Sequence, residues 1–209
     1  MKHTLLLLSV LGFSIPAFAD DHAGGSHAGD PEAGKAKSAV CAACHGADGN
    51  SMNPEWPKIA GQHASYLVGQ LQAYKSGARK NALMNGQAMG LSEEDMKDLA
   101  AYFTAQEMSA GVADPELVAI AEPIWRGGKA DTGTPACSGC HGPAGMGNSA
   151  AQWPRLAGQH AAYSATQLKL YREGTRAGTA NAQMMSQVAK GLTDKEIEAL
   201  ASYMSGLHQ

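Results

Sequence analysis

The chain has 209 residues, and its 16 Lys and Arg stand against 19 Asp and Glu, a formal net charge of −3. That balance excludes the basic face that nucleic-acid binding requires and offers no large field for steering partners. The length allows one ordinary domain or two small ones.

Residues 1–19 read as an export signal. Lys2 supplies a positive start, Leu5 to Phe13 is an apolar run, and Ala17-Phe18-Ala19 is a small-x-small cleavage site. The run is too short to cross a bilayer, and no later segment is long and apolar enough to do so. The expected mature protein is therefore exported, with the periplasm as its address and membrane association at most peripheral. Asp20, Asp21, His22 and His27 follow in a Gly-rich stretch; a frayed terminus explains that composition more simply than a copper or nickel site.

A short helix is predicted from about Pro31, since proline suits a first helical turn. It leads to Cys41-Ala42-Ala43-Cys44-His45. Two thiols three positions apart can bond to neighbouring points on a flat ring, and the next imidazole can reach a metal at its centre. This is the c-type haem attachment pattern. A redox dithiol or half of a zinc site also uses CxxC, but neither requires His in the next position. His is 8 of 209 residues, so chance would place it there in roughly one case in 26. The pattern recurs at Cys137-Ser138-Gly139-Cys140-His141, and the two copies use all four cysteines. Two covalently bound haem c groups are expected, with Cys41, Cys44, Cys137 and Cys140 as thioethers and His45 and His141 as axial ligands.

The rest of the chain also repeats. Trp56-Pro57-Lys58-Ile59-Ala60-Gly61-Gln62-His63-Ala64 returns 97 residues later as Trp153-Pro154-Arg155-Leu156-Ala157-Gly158-Gln159-His160-Ala161. Tyr66, Gln70, Tyr74 and Arg79 return at the same offset, and Leu91 and Tyr102 return at 101. A period near 100 is a domain length and not a solenoid repeat. The expected organisation is a signal peptide at 1–19, one domain at 20–108, a linker at 109–114 rich in small residues, and a second domain at 115–209. A domain this small buries too little apolar surface to be stable on its own core. A haem inside each would supply the missing apolar centre.

The fold class is all-α. In each half a helical stripe begins near Tyr66 or Tyr163 and ends at Gly77 or Gly174. A closing helix follows, opened by a capping box at Ser92 and Asp95 or at Thr193 and Glu196. Helices before each CxxCH complete a three-helix frame, and long loops at 46–62 and 142–159 are expected to be organised by the haem.

What fills the second axial position decides between carrier and catalyst. Met84 and Met185 each lie seven residues before the matched Leu91 or Leu192, in a stretch from 78 to 90 and its counterpart that reads as loop. They alone among the loop methionines repeat in register, whereas Met89 and Met184 do not. His63 and His160 also repeat, as alternative ligands or as hydrogen-bonding groups near a haem edge. Lys58 and Arg155 are a further matched pair, candidates for haem propionates.

Together, the two CxxCH motifs, the two WP[KR][IL]AGQHA segments, paired Met84 and Met185, the signal and the 190 residues after it resemble the cytochrome c4 family. The resemblance covers nearly all of the mature chain. It implies two tandem class I cytochrome c domains from internal duplication, with His45 and Met84 on one iron and His141 and Met185 on the other. It also implies that the carbonyls of Pro57 and Pro154 accept hydrogen bonds from the axial histidines. The implied role is electron shuttling in a respiratory chain, from a quinol–cytochrome c reductase toward a terminal oxidase, and no enzyme activity. A di-haem peroxidase, with one iron open to substrate, and a haem-based sensor are the rival readings.

Overall fold

The computed structural model describes residues 29–208, so the export segment, His22 and His27 lie outside the described residues. Among them, five helices form the first half: α1 Pro31–Lys37, α2 Ala39–His45, α3 Ala64–Lys75, α4 Ala82–Met89 and α5 Glu93–Thr104. Five more form the second: α6 Pro115–Gly127, α7 Cys137–His141, α8 Ala161–Arg172, α9 Ala180–Ala189 and α10 Asp194–Gly206. The described residues contain no strand, only isolated bridges at Lys129–Thr134 and Asn148–Trp153.

The closing helices anchor each half. Ser92 Oγ accepts from Asp95 N at 3.0 Å while Asp95 accepts from Ser92 N at 2.9 Å, and Thr193 and Glu196 repeat the device on α10. These reciprocal bonds satisfy amides that a helix start otherwise leaves unpaired. On α5, Met96, Leu99, Ala100 and Phe103 recur at helical spacing and are buried; on α10, Ile197, Leu200, Ala201 and Met204 are their equivalents. Each large side chain so buried contributes about 1.5–3 kcal/mol.

Onto that stripe pack α1 and α3 in the first half, and α6 and α8 in the second. Gly34 sets the approach of α1: a Cβ there would overlap the Asp98 carbonyl of α5. The second half uses bulk instead, with Trp125 of α6 fully buried and its Nε1 donating to Pro143 O at 3.1 Å. The two halves also differ before the attachment motif. Only Ser38 separates α1 from α2, whereas a bridged turn fills 128–136 between α6 and α7.

The stretches read as methionine-bearing loops are helical, α4 and α9, and this corrects the three-helix frame. Asn81 Oδ1 caps α4 by accepting from Met84 N at 3.0 Å, and Thr179 Oγ1 caps α9 by accepting from Ala182 N at 3.2 Å. Asn85 then ties α4 to the preceding turn, donating to Tyr74 O and Arg79 O. Their short length and the Gly86 inside α4 hide the helical period in the sequence.

Candidate functional site

Both attachment motifs are single helical turns, which puts the two cysteines of each on one face at i and i+3. The following histidine is the last helical residue. Gly46 and Gly142 then turn the chain away at φ 82° and 77°, a conformation that glycine adopts without steric cost. The imidazoles stay behind, His45 8% exposed and His141 5%.

Each ring is fixed by a carbonyl. His45 Nδ1 donates to Pro57 O at 2.8 Å and His141 Nδ1 donates to Pro154 O at 3.0 Å. A carbonyl can only accept, so the proton resides on Nδ1 and the Nε2 lone pair is free for a metal. Burial pushes both imidazoles below the ordinary histidine pKa, outweighing the carbonyl bond, and this keeps them neutral.

Cys41 and Cys137, the first cysteine of each motif, are not built as reactive thiolates. Burial raises the Cys41 thiol and pushes Cys137 up to about 11, the reverse of what a redox dithiol requires. The four sulfurs form no disulfide. Among the described residues no three His, Cys, Asp or Glu side chains cluster, so a zinc knuckle lacks its remaining ligands there.

All eight sequence-predicted residues line one cavity of about 950 Å³ that runs through both halves. Ordinary small-molecule sites span roughly 300–1,000 Å³. Met84 and Met185 line it half-buried from α4 and α9. Met89 is 62% exposed and faces away from it, and Met184 sits at its rim, 48% exposed. Paired thiols, a neutral imidazole with its lone pair free, a soft thioether and apolar walls are the donor set and surroundings that haem c requires.

The other repeated polar residues join the halves. Gln159 Oε1 accepts from Lys58 N at 2.9 Å and its Nε2 donates to Lys58 O at 2.8 Å, so one side chain closes on both backbone polar groups of a residue in the other half. Gln62 does the same with Arg155, at 2.9 Å for both bonds. His63 Nε2 donates to Met146 O at 2.8 Å and His160 Nε2 to Ser51 O at 2.7 Å, which removes that nitrogen as an iron ligand. Lys58 Nζ does not reach out as a free cation either; it donates to Ser109 O at 2.7 Å and Gly158 O at 3.0 Å. The WP[KR][IL]AGQHA repeat is thus a two-fold clamp. The only sequence signal for it was the repetition of polar residues that no haem ligand accounts for.

Comparison with known proteins places the chain in a family. The family model for cytochrome c matches residues 31–106 and 127–208. Cytochrome c4 of Pseudomonas aeruginosa is 51% identical over 181 residues, covering 87% of this chain and 90% of that protein. Cytochrome c4 of Azotobacter vinelandii is 48% identical over 216 residues, 99% of both. The crystal structure of reduced recombinant cytochrome c4 from Pseudomonas stutzeri superposes with a TM-score of 0.84 at 51% identity, over 87% of this chain and 100% of that one. A chain with two matched cytochrome c regions, two CxxCH helices and this degree of identity belongs to the cytochrome c4 family, electron-transfer proteins that carry two covalently bound haem c groups.

Proposed function

We propose that the chain is a periplasmic electron carrier of a respiratory chain, accepting electrons from a quinol-oxidising complex and delivering them toward a terminal oxidase. In this reading residues 20–108 and 115–209 are its two domains, joined by 109–114. Cys41 and Cys44 hold one haem, with His45 and Met84 on its iron. Cys137 and Cys140 hold the other, with His141 and Met185. Export follows from the signal-like first 19 residues and from thioether attachment, which bacteria carry out beyond the cytoplasm.

The observation that carries the reading is the duplicated set of a carbonyl-locked imidazole, two thiols and a thioether around one shared cavity. When bound, haem supplies an iron that passes between ferrous and ferric states. The chain's residues do the rest. Pro57 and Pro154 orient the imidazoles and make Nε2 a better donor. The methionine sulfurs are soft ligands that favour the ferrous state and raise the potential. His45 with Met84, and His141 with Met185, would leave neither iron open to a substrate. The Gln62 and Gln159 clamps keep the two haem sites adjoining, which favours transfer between them.

The test is a visible and near-infrared spectrum of the purified protein together with carbon monoxide binding. The expected result is a sulfur-to-iron charge-transfer band and little carbon monoxide uptake by the reduced protein. Met84→Ala or Met185→Ala should abolish the band at one haem, lower that haem's potential and open it alone to carbon monoxide. Substantial uptake by the unmodified protein, or sustained peroxide turnover, would overturn the carrier reading in favour of a peroxidase.

A further inference from the structure

Pro57 O and Lys58 N belong to one peptide group, and both of its polar atoms are engaged. His45 Nδ1 donates to Pro57 O at 2.8 Å, while Lys58 N donates to Gln159 Oε1 of the other half at 2.9 Å. The second half repeats the arrangement in the opposite sense. His141 Nδ1 donates to Pro154 O at 3.0 Å, and Arg155 N, on the same peptide, donates to Gln62 Oε1 of the first half at 2.9 Å. Two hydrogen bonds and one peptide thus join each imidazole to a glutamine across the junction.

The neighbouring groups fix which way each amide faces. Gln159 Oε1 also accepts from His160 N, and Gln62 Oε1 from His63 N, both at 3.0 Å. A backbone N–H can only donate, so the oxygen of each side chain faces the peptide that holds the axial histidine, and Nε2 donates to Lys58 O or Arg155 O. Both glutamines are buried, 5% and 4% exposed for Gln159 and Gln62, which keeps water from competing for these bonds. In such surroundings hydrogen bonds in a chain polarise one another. An amide whose N–H donates carries more charge on its oxygen and becomes a better acceptor. The imidazole that donates to it becomes in turn a stronger ligand through Nε2.

We propose that Gln159 is a positioning residue for the iron of the first half and Gln62 for the iron of the second, each acting through one peptide on the axial imidazole of the opposite domain. The proposal rests on the reading that His45 and His141 are the axial ligands. A stronger imidazole donor favours ferric iron, so each relay lowers the potential of the haem across the junction. Docking of the halves then sets both potentials as well as joining the domains. The His45 relay has the stronger hold, because the Lys58 bond is fully buried and the Arg155 bond only partly so.

The decisive variant is Gln159→Met, which keeps the bulk of the side chain and removes its acceptor. The readout is the Nδ1 proton of each axial histidine, followed by NMR in reduced, histidine-labelled holoprotein, together with the midpoint potential of each haem. The His45 proton should move upfield, as a weakened hydrogen bond does, and the potential of the first haem should rise, while His141 and its haem stay unchanged. Gln62→Met should give the crossed result, on His141 alone and by a smaller shift. Gln159→Glu keeps an oxygen facing Lys58 N whether it is ionised or protonated, so the His45 proton should stay in place or move downfield. Shifts confined to the variant's own half, equal shifts at both histidines, or an upfield shift in Gln159→Glu as well would overturn the relay and leave only a clamp. The sulfur-to-iron band of the oxidised holoprotein is measured alongside. With that band intact in the unmodified protein, a missing crossed shift refutes the relay and not the ligand assignment; a missing band refutes the assignment and the relay with it.

Discussion

Replacing Gln159 by Ala tests whether the repeated segment is a clamp between halves. Gln159 is 5% exposed and makes three hydrogen bonds: from Lys58 N at 2.9 Å, to Lys58 O at 2.8 Å and from His160 N at 3.0 Å. The alanine removes all three and strands the buried N–H and C=O of Lys58, which have no water to turn to. An orphaned buried group costs about 1–3 kcal/mol, so the loss of the partner of these two groups should total about 2–4 kcal/mol. For a chain of this size that lowers Tm by roughly 5–12 °C. Gln62→Ala should cost less, because the Arg155 peptide it serves is only partly buried and keeps access to water. The assay is thermal unfolding of the holoprotein followed by helical circular dichroism and by the haem band, with the exposed Gln87→Ala as control. A Gln159→Ala variant melting within about 1 °C of the unmodified protein would refute the argument, as would a Gln62→Ala variant that is the more damaged of the two.

Two further outcomes follow from the packing and the charges. Gly34→Ala should destabilise by about 1–3 kcal/mol, since its methyl meets the Asp98 carbonyl and helices α1 and α5 must part. Gly86→Ala, in open space on α4, should instead be neutral or stabilising by up to about 1 kcal/mol; denaturant titration of both tests the contrast. Lys37 Nζ sits 2.7 Å from both Asp95 and Asp98, and hydrogen bonds from this lysine hold both carboxyls below their usual range. A carboxylate depressed in the folded state stabilises above its unfolded pKa of roughly 4, and that stability is lost as pH falls through the folded value. The Tm gap between the unmodified protein and Lys37→Met should therefore be widest near neutral pH and close below about pH 4; a gap constant down to about pH 2 would contradict it.

The sequence by itself determined whatever depends on residues within a turn or two of one another. The CxxCH spacing puts two sulfurs on one helical face, and the Ser92 and Thr193 boxes start α5 and α10 by bonds three residues long. The duplication was legible because it is written in residue identity. Helices α4 and α9 were not, because their caps at Asn81 and Thr179 precede runs too short for a period to emerge. Only the tertiary structure decided what the remaining repeated polar residues do. Gln62 and Arg155 are 93 residues apart, Lys58 and Gln159 are 101, and Arg176 and Tyr66 are 110. No local rule assigns a partner at such a range. A glutamine or histidine on an irregular loop reads as a ligand, a cap or a solvated side chain until docking removes the water around it. The buried peptide opposite then becomes its partner, because an unpaired polar group there costs more than the bond contributes.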